Sequence, residues 1–174
     1  MENLLKQLKY KWHLEEILFQ NGLCIEKIQQ IENGLGYFFP KEFVSYLQTI
    51  NGMKDGEADQ DLFYFWGSEL IEKEFATAKP AGPDTVFIGF ADRVVIDSVY
   101  MIEISRTRQI TGRIAIQKKT TKIIAPSFYH FLNHYLNSLS NQLPSWEQIS
   151  VKENQLSPFT LLCQQLMPNK LATF

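Results

Sequence analysis

Two histidines, His130 and His134, stand four residues apart in SFYHFLNHYL. On a helix that spacing puts both imidazoles on one face, as a zinc site needs. The catalytic form of the motif requires Glu at 131, where Phe131 stands, and no nearby Cys or carboxylate supplies a third ligand. Two ligands complete neither a structural nor a catalytic zinc site, so the pair reads as ordinary helix surface. His13 adds nothing to it. Asp55, Glu57, Asp59 and Asp61 alternate through DGEADQD like the opening of a calcium loop. The spacing then fails, because the glycine such a loop requires falls on Gln60 and its bidentate glutamate on Trp66. A solvated acidic loop is the expectation.

Phe63, Tyr64, Phe65 and Trp66 would suit base stacking only beside a basic groove, and their surroundings are acidic. They are expected to pack in a core with alternate residues inside. Cys24 and Cys163 have neither His nor a basic run beside them and read as buried, reduced thiols. Lys118, Lys119 and Lys122, with Arg113 nearby, read as a solvated basic turn. The chain has no Gly-rich phosphate loop, GxSxG elbow or Cys-x-x-Cys pair. No catalytic residue, metal or cofactor is therefore expected, and an enzyme with dispersed catalytic residues ranks last among the readings.

The elements that would position these residues can be read along the chain. Leu4, Leu5, Leu8, Trp12, Glu16 and Phe19 suggest a leading amphipathic helix that stops near Asn21-Gly22. Ile28, Ile31 and Leu35 form a second stripe, interrupted by Gly34 and Gly36. Pro40 then opens a third helix with Phe43, Tyr46, Leu47 and Ile50, closed by Asn51-Gly52. LFYFW reads as a strand, SELIEKE as a helical turn capped by Ser68, and AKPAGPDT as a loop. Five β-rich runs follow: TVFIGFA, RVVID, VYMIEIS, GRIAIQ and TKIIA. VYMIEIS does not alternate cleanly, which predicts a strand covered on both faces. At Ser127 the period changes to about 3.6, with Phe128, Phe131, Leu132, Tyr135, Leu136 and Leu139 on one stripe. A last helix is expected in SPFTLLCQQLM, capped by Ser157 with Pro158 at its first position.

Helices first, strands in the middle and helices last predict an α+β domain. Its sheet is mainly antiparallel, of about five to six strands, with helices packed on one face. Phe43, Leu47, Phe128, Phe131 and Leu132 should be buried where the early helices meet the late one. With 174 residues, 45% of them apolar, the chain has material for one sizeable core. A net charge of -2 gives no general attraction to nucleic acid or anionic membrane. Charged residues interrupt the first twenty, so no ordinary secretory leader is expected, and no run approaches the length of a membrane span. The expectation is a cytoplasmic protein.

IENGLG, FPKEFVSYLQTINGM, the FYFW strand, VFIGFAD and SFYHFLNHYL occur in an order that resembles the SUKH superfamily, Smi/Knr-like branch. The resemblance covers about Ile25 to Leu139. It implies a single SUKH-like domain over 1–174, with 1–22 as a helical extension and 140–174 as a helical tail. Members include many bacterial immunity proteins and a fungal regulator of cell-wall assembly. The resemblance thus implies an immunity protein that binds and neutralises a cognate polymorphic toxin, with a non-enzymatic scaffold or regulator as the alternative. Nuclease toxins must be basic to grip phosphate, so Asp55, Glu57, Asp59 and Asp61 are candidate partner-binding residues. Asp92, Arg93 and Asp97, at exposed strand ends, form the second candidate surface.

Overall fold

The computed structural model describes residues 1–93, 98–108 and 112–137. Contacts divide the chain into two units, Met1–Asn141 and Gln142–Phe174. The second lies outside the described residues, as do Cys163, the expected SPFTLLCQQLM helix, Asp97 and most of the RVVID run.

Helix α1, Glu2–Leu14, buries Leu4, Leu5, Leu8 and Trp12 on one stripe. It ends earlier than its sequence suggests. Glu16 adopts a left-handed φ of 58°, and Phe19–Asn21 becomes strand β1, which pairs antiparallel with β2, Ile50–Met53. Pairing with β2 gives this backbone partners that continued helix would have to supply locally. Helix α2, Ile25–Leu35, keeps Gly34 inside it and stops at Gly36, whose φ of 72° needs no Cβ accommodation. Helix α3, Lys41–Thr49, has Pro40 at its N-cap rather than its first turn. Asn51-Gly52 is part of β2 and not a free helix stop. A Cβ on Gly52 would lie 2.4 Å from the Trp66 carbonyl carbon, and its φ is 77°.

Strand β3, Phe63–Phe65, leads into α4, Ser68–Lys73, and a 3-10 turn, Glu74–Thr77. Ser68 is not the cap: Gly67 holds that position, and Asn51 Oδ1 accepts the Ser68 N–H at 2.9 Å. The AKPAGPDT segment is also more than a loop. Lys79–Gly82 forms β4 along one end of β5, Thr85–Arg93. Pro80 is tolerated there because an edge strand can spare an N–H. β6, Ser98–Ser105, β7, Ile114–Gln117, and β8, Thr121–Ala125, continue the sheet before α5, Phe128–Asn137. The strand order is β3-β5-β6-β7-β8, with β4 also on β5, and every pairing is antiparallel.

The main core lies between one sheet face and helices α1, α3 and α5. Phe43, Leu47, Phe128, Phe131 and Leu132 are all 0% exposed, as their stripes require. Phe90 meets Phe43, Phe128 and Phe131 edge-on at 5.3 to 5.9 Å, and Phe43 meets Phe128 at 5.1 Å. Phe65 meets Trp12 and Tyr135 at 5.3 and 5.1 Å. The opposite face carries Phe87, Met101 and Ala115, so β6 is buried on both sides. Among the described residues no helix is long and apolar enough to cross a membrane.

Candidate partner-binding site

The connection between β2 and β3, residues 54–62, carries the four alternating carboxylates, and its backbone path separates them. At Leu62, whose φ is 65°, the loop folds back, with the Leu62 N–H donating to the Asp59 carbonyl at 2.8 Å. Asp59 is thereby turned inward and is only 3% exposed. Its Oδ1 accepts the N–H groups of Asp61 at 2.9 Å and Phe63 at 2.8 Å. Its Oδ2 accepts the Tyr135 hydroxyl and faces Lys11 Nζ at 3.4 Å. Trp12 Nε1 donates to the same Tyr135 oxygen at 3.2 Å, and Lys11 also pairs with Glu15. Burial, reinforced by the Asp59 charge, holds the Tyr135 phenol well above its ordinary pKa and keeps it a donor. The expectation of a wholly solvated loop is thus corrected at Asp59. Alternation in sequence cannot register a left-handed turn that brings α1 and α5 to one carboxylate.

The other carboxylates stay near the surface. Asp55 is exposed, and its Oδ1 accepts the Tyr64 hydroxyl at 3.0 Å. Burial, then the bond to Asp55, pushes the Tyr64 phenol up to about 12. Glu57 is half-buried, with its N–H on the Lys54 carbonyl at 3.1 Å. Asp61 is half-buried too, and its carbonyl accepts Arg93 Nε at 2.9 Å and Nη2 at 2.6 Å. The Arg93 guanidinium also lies 5.1 Å from the Phe63 ring centre. Desolvation, then the Asp59 charge, raises the Asp61 carboxyl above its ordinary value. Asp92 accepts Trp66 Nε1 at 2.7 Å, and burial raises its carboxyl while that bond opposes the rise.

Register brings these groups together. Tyr64 pairs with Asp92 across β3 and β5, so Asp55, Tyr64 and Asp92 gather at one place. Trp66 lies over the same face, against Gly89, where any Cβ would sit 2.3 Å from the indole. Beside them is a cleft of about 440 Å³ lined by Gln20, Lys54, Asp55, Tyr64, Glu69 and Leu70. Asp61 and Arg93 stand on the Phe63 side of β3, and Asp97 lies outside the described residues. Tyr64 was legible from alternation, since Phe63 and Phe65 face the core and Tyr64 must point away. Gln20 carried no local signal, because it reaches the cleft only through the β1–β2 pairing.

The remaining chemical candidates stay apart. His130 Nδ1 lies 3.0 Å from Ser127 Oγ, and among the described residues no three His, Cys, Asp or Glu side chains are grouped to hold a metal. Cys24 is exposed rather than buried: it is the extended N-cap of α2, before the helical turn that carries Ile28 and Ile31 inward. The cleft sets the carboxylates of Asp55 and Glu69 and the Tyr64 phenol beside Lys54 and Gln20, so it offers acceptors to cationic side chains alongside one cation of its own, with Leu70 as an apolar contact.

No curated protein matches the chain. A family model does: the SMI1 / KNR4 family (SUKH-1) matches residues 22–134, from just before α2 into α5, with the acidic loop and all strands of the larger sheet inside the match. Helix α1 and β1 precede it. Because the match spans well over half of the sequence and the α+β architecture agrees with it, the chain belongs to the SMI1/KNR4 (SUKH-1) family.

Proposed function

We propose that this protein is a bacterial immunity protein. It binds a cognate polymorphic toxin domain in the cytoplasm and neutralises it by covering the active site or substrate path, with no catalysis or cofactor of its own. The observation that carries this reading is membership of the SUKH-1 family, whose relatives include many immunity proteins. The docking surface is the acidic rim of Asp55, Glu57 and Asp92 near Tyr64, joined by Asp61 and Arg93 on the Phe63 side of β3, and Asp97, outside the described residues, is a further candidate. Asp59 is excluded because its oxygens already hold internal donors. A nuclease toxin presents a basic surface, so exposed carboxylates would steer encounter and occupy its phosphate sites. Residues 1–174 act in this reading as one SUKH-like domain.

The test is co-expression with a toxin module encoded beside the gene, followed by binding kinetics at low and high salt. Protection from the toxin is expected. The variant Asp55→Asn/Glu57→Gln/Asp61→Asn/Asp92→Asn should associate about tenfold more slowly at low salt and show a flatter salt dependence. Equal rate constants would remove the rim from the interface, and absence of both protection and binding would overturn the immunity reading. The second reading is a non-enzymatic scaffold or regulator, favoured by the kinship with fungal cell-wall regulators within the same family. Envelope-synthesis genes beside this one, with no toxin gene, would support it.

A further inference from the structure

The larger sheet has two edges, and among the described residues only one is closed. At the β3 end, Asp59 accepts the Phe63 N–H at 2.8 Å and donates its own N–H to the Phe63 carbonyl at 3.0 Å. Next to it, Pro80 removes a donor from β4. At the other end, no strand among the described residues pairs with the outer side of β8. Its alternate N–H and C=O groups point away from β7, as a template for another strand. Thr121, Lys122 and Ile123 are exposed, Ile123 to 48%.

Register shows what such a strand would meet. On one face the row Gly89, Met101, Ala115 and Ile123 runs across four strands, buried until it reaches Ile123. On the other face Tyr100, Ile116 and Lys122 form a row that ends in a cation. Lys118 and Lys119 occupy the adjoining turn, and among the described residues none of these three lysines forms a salt bridge. Lys118 is half-buried, and burial and the Arg93 charge on β5 hold its amine below its ordinary value; Lys119 and Lys122 are the exposed cations at the turn and the edge.

We propose that β8 is a docking edge for an extended, alternating acidic and apolar segment of a protein partner, which adds as a further strand. An apolar side chain of that segment lies beside Ile123, and carboxylates lie beside Lys122 and the Lys118–Lys119 turn. A second copy of this chain is the wrong occupant, because its own β8 would bring the same cations against these. The inference stands apart from the toxin reading, since it is tested without a toxin.

The probe is an end-blocked synthetic octapeptide of alternating Asp and Val, titrated into the isotope-labelled full chain and followed by amide NMR and hydrogen exchange. Chemical-shift changes should centre on residues 117–125, with exchange slowed at alternate residues of β8. A peptide with Lys in place of every Asp should bind at least about tenfold more weakly, the sum expected of a few exposed ion pairs. In Lys118→Glu/Lys119→Glu/Lys122→Glu that preference should reverse. No change at millimolar peptide, changes centred elsewhere, or equal binding of the two peptides would each overturn the proposal. The two-peptide comparison on the unaltered protein decides the matter even if the triple variant does not fold.

Discussion

Asp59 holds two backbone N–H groups and the Tyr135 hydroxyl inside the protein, so its lone pairs are occupied by internal donors. Asp55, four residues earlier, meets water and one phenol. Residue type alone cannot separate them. Removing a buried acceptor strands its donors, and each stranded group costs about 1–3 kcal/mol. Asp59→Ala should therefore destabilise the fold by about 3 kcal/mol or more, whereas Asp55→Asn should change stability by less than about 0.5 kcal/mol. Denaturant melts of the two variants check this, and similar midpoints would refute the division of the loop. The same comparison shows why a binding test must leave Asp59 intact: a partly unfolded protein would imitate a lost interface.

At the scale of elements, the second sheet face is held by a charged pair between β6 and the residue that leads into β7. Arg113 donates to Glu103 through Nε at 2.8 Å and Nη2 at 2.6 Å. The two hydrogen bonds from the guanidinium, partly opposed by burial, hold the Glu103 carboxyl below its usual range. The unfolded chain takes up a proton at higher pH than the folded one does. The contribution is thus complete above the ordinary glutamate value of about 4.3 and is lost as pH falls through the lowered one. Glu103→Gln should cost about 1–2 kcal/mol at neutral pH, toward the low end for charged hydrogen bonds because the Arg113 side chain is 39% exposed. The gap between variant and parent should narrow in acid. A gap that widened there would contradict the assignment. Lys122 on β8 and Lys119 in the adjoining turn have no such partner among the described residues, which is the difference between a charge that holds two strands together and one offered to a third.

For the molecule as a whole, α5 closes the core. Phe131 touches Phe90 at 5.3 Å, Tyr100 at 5.6 Å and Phe65 at 6.4 Å, on three neighbouring strands. Phe131→Ala should cost about 3–5 kcal/mol, a large share of a typical domain's margin. An unchanged melting curve would refute this packing. That α5 forms a helix and buries Phe128, Phe131, Leu132 and Tyr135 was legible in sequence, because the apolar period after Ser127 is set by neighbours three and four residues away; Leu136 is half-buried and Leu139 lies outside the described residues. The same holds for the α2 and α3 stripes and for the doubly covered β6. By itself, then, the sequence determined the α+β class, the family and five core residues, since periodicity and backbone preference act over short distances. Tertiary structure alone decided that AKPAGPDT contributes a strand, that Phe19–Asn21 leaves the first helix to pair with Ile50–Met53, and that Asp59 turns inward. Each of these rests on a hydrogen-bonding or packing partner that only folding supplies. For Asp59 that partner, Tyr135, lies 76 residues away, beyond the reach of any local pattern.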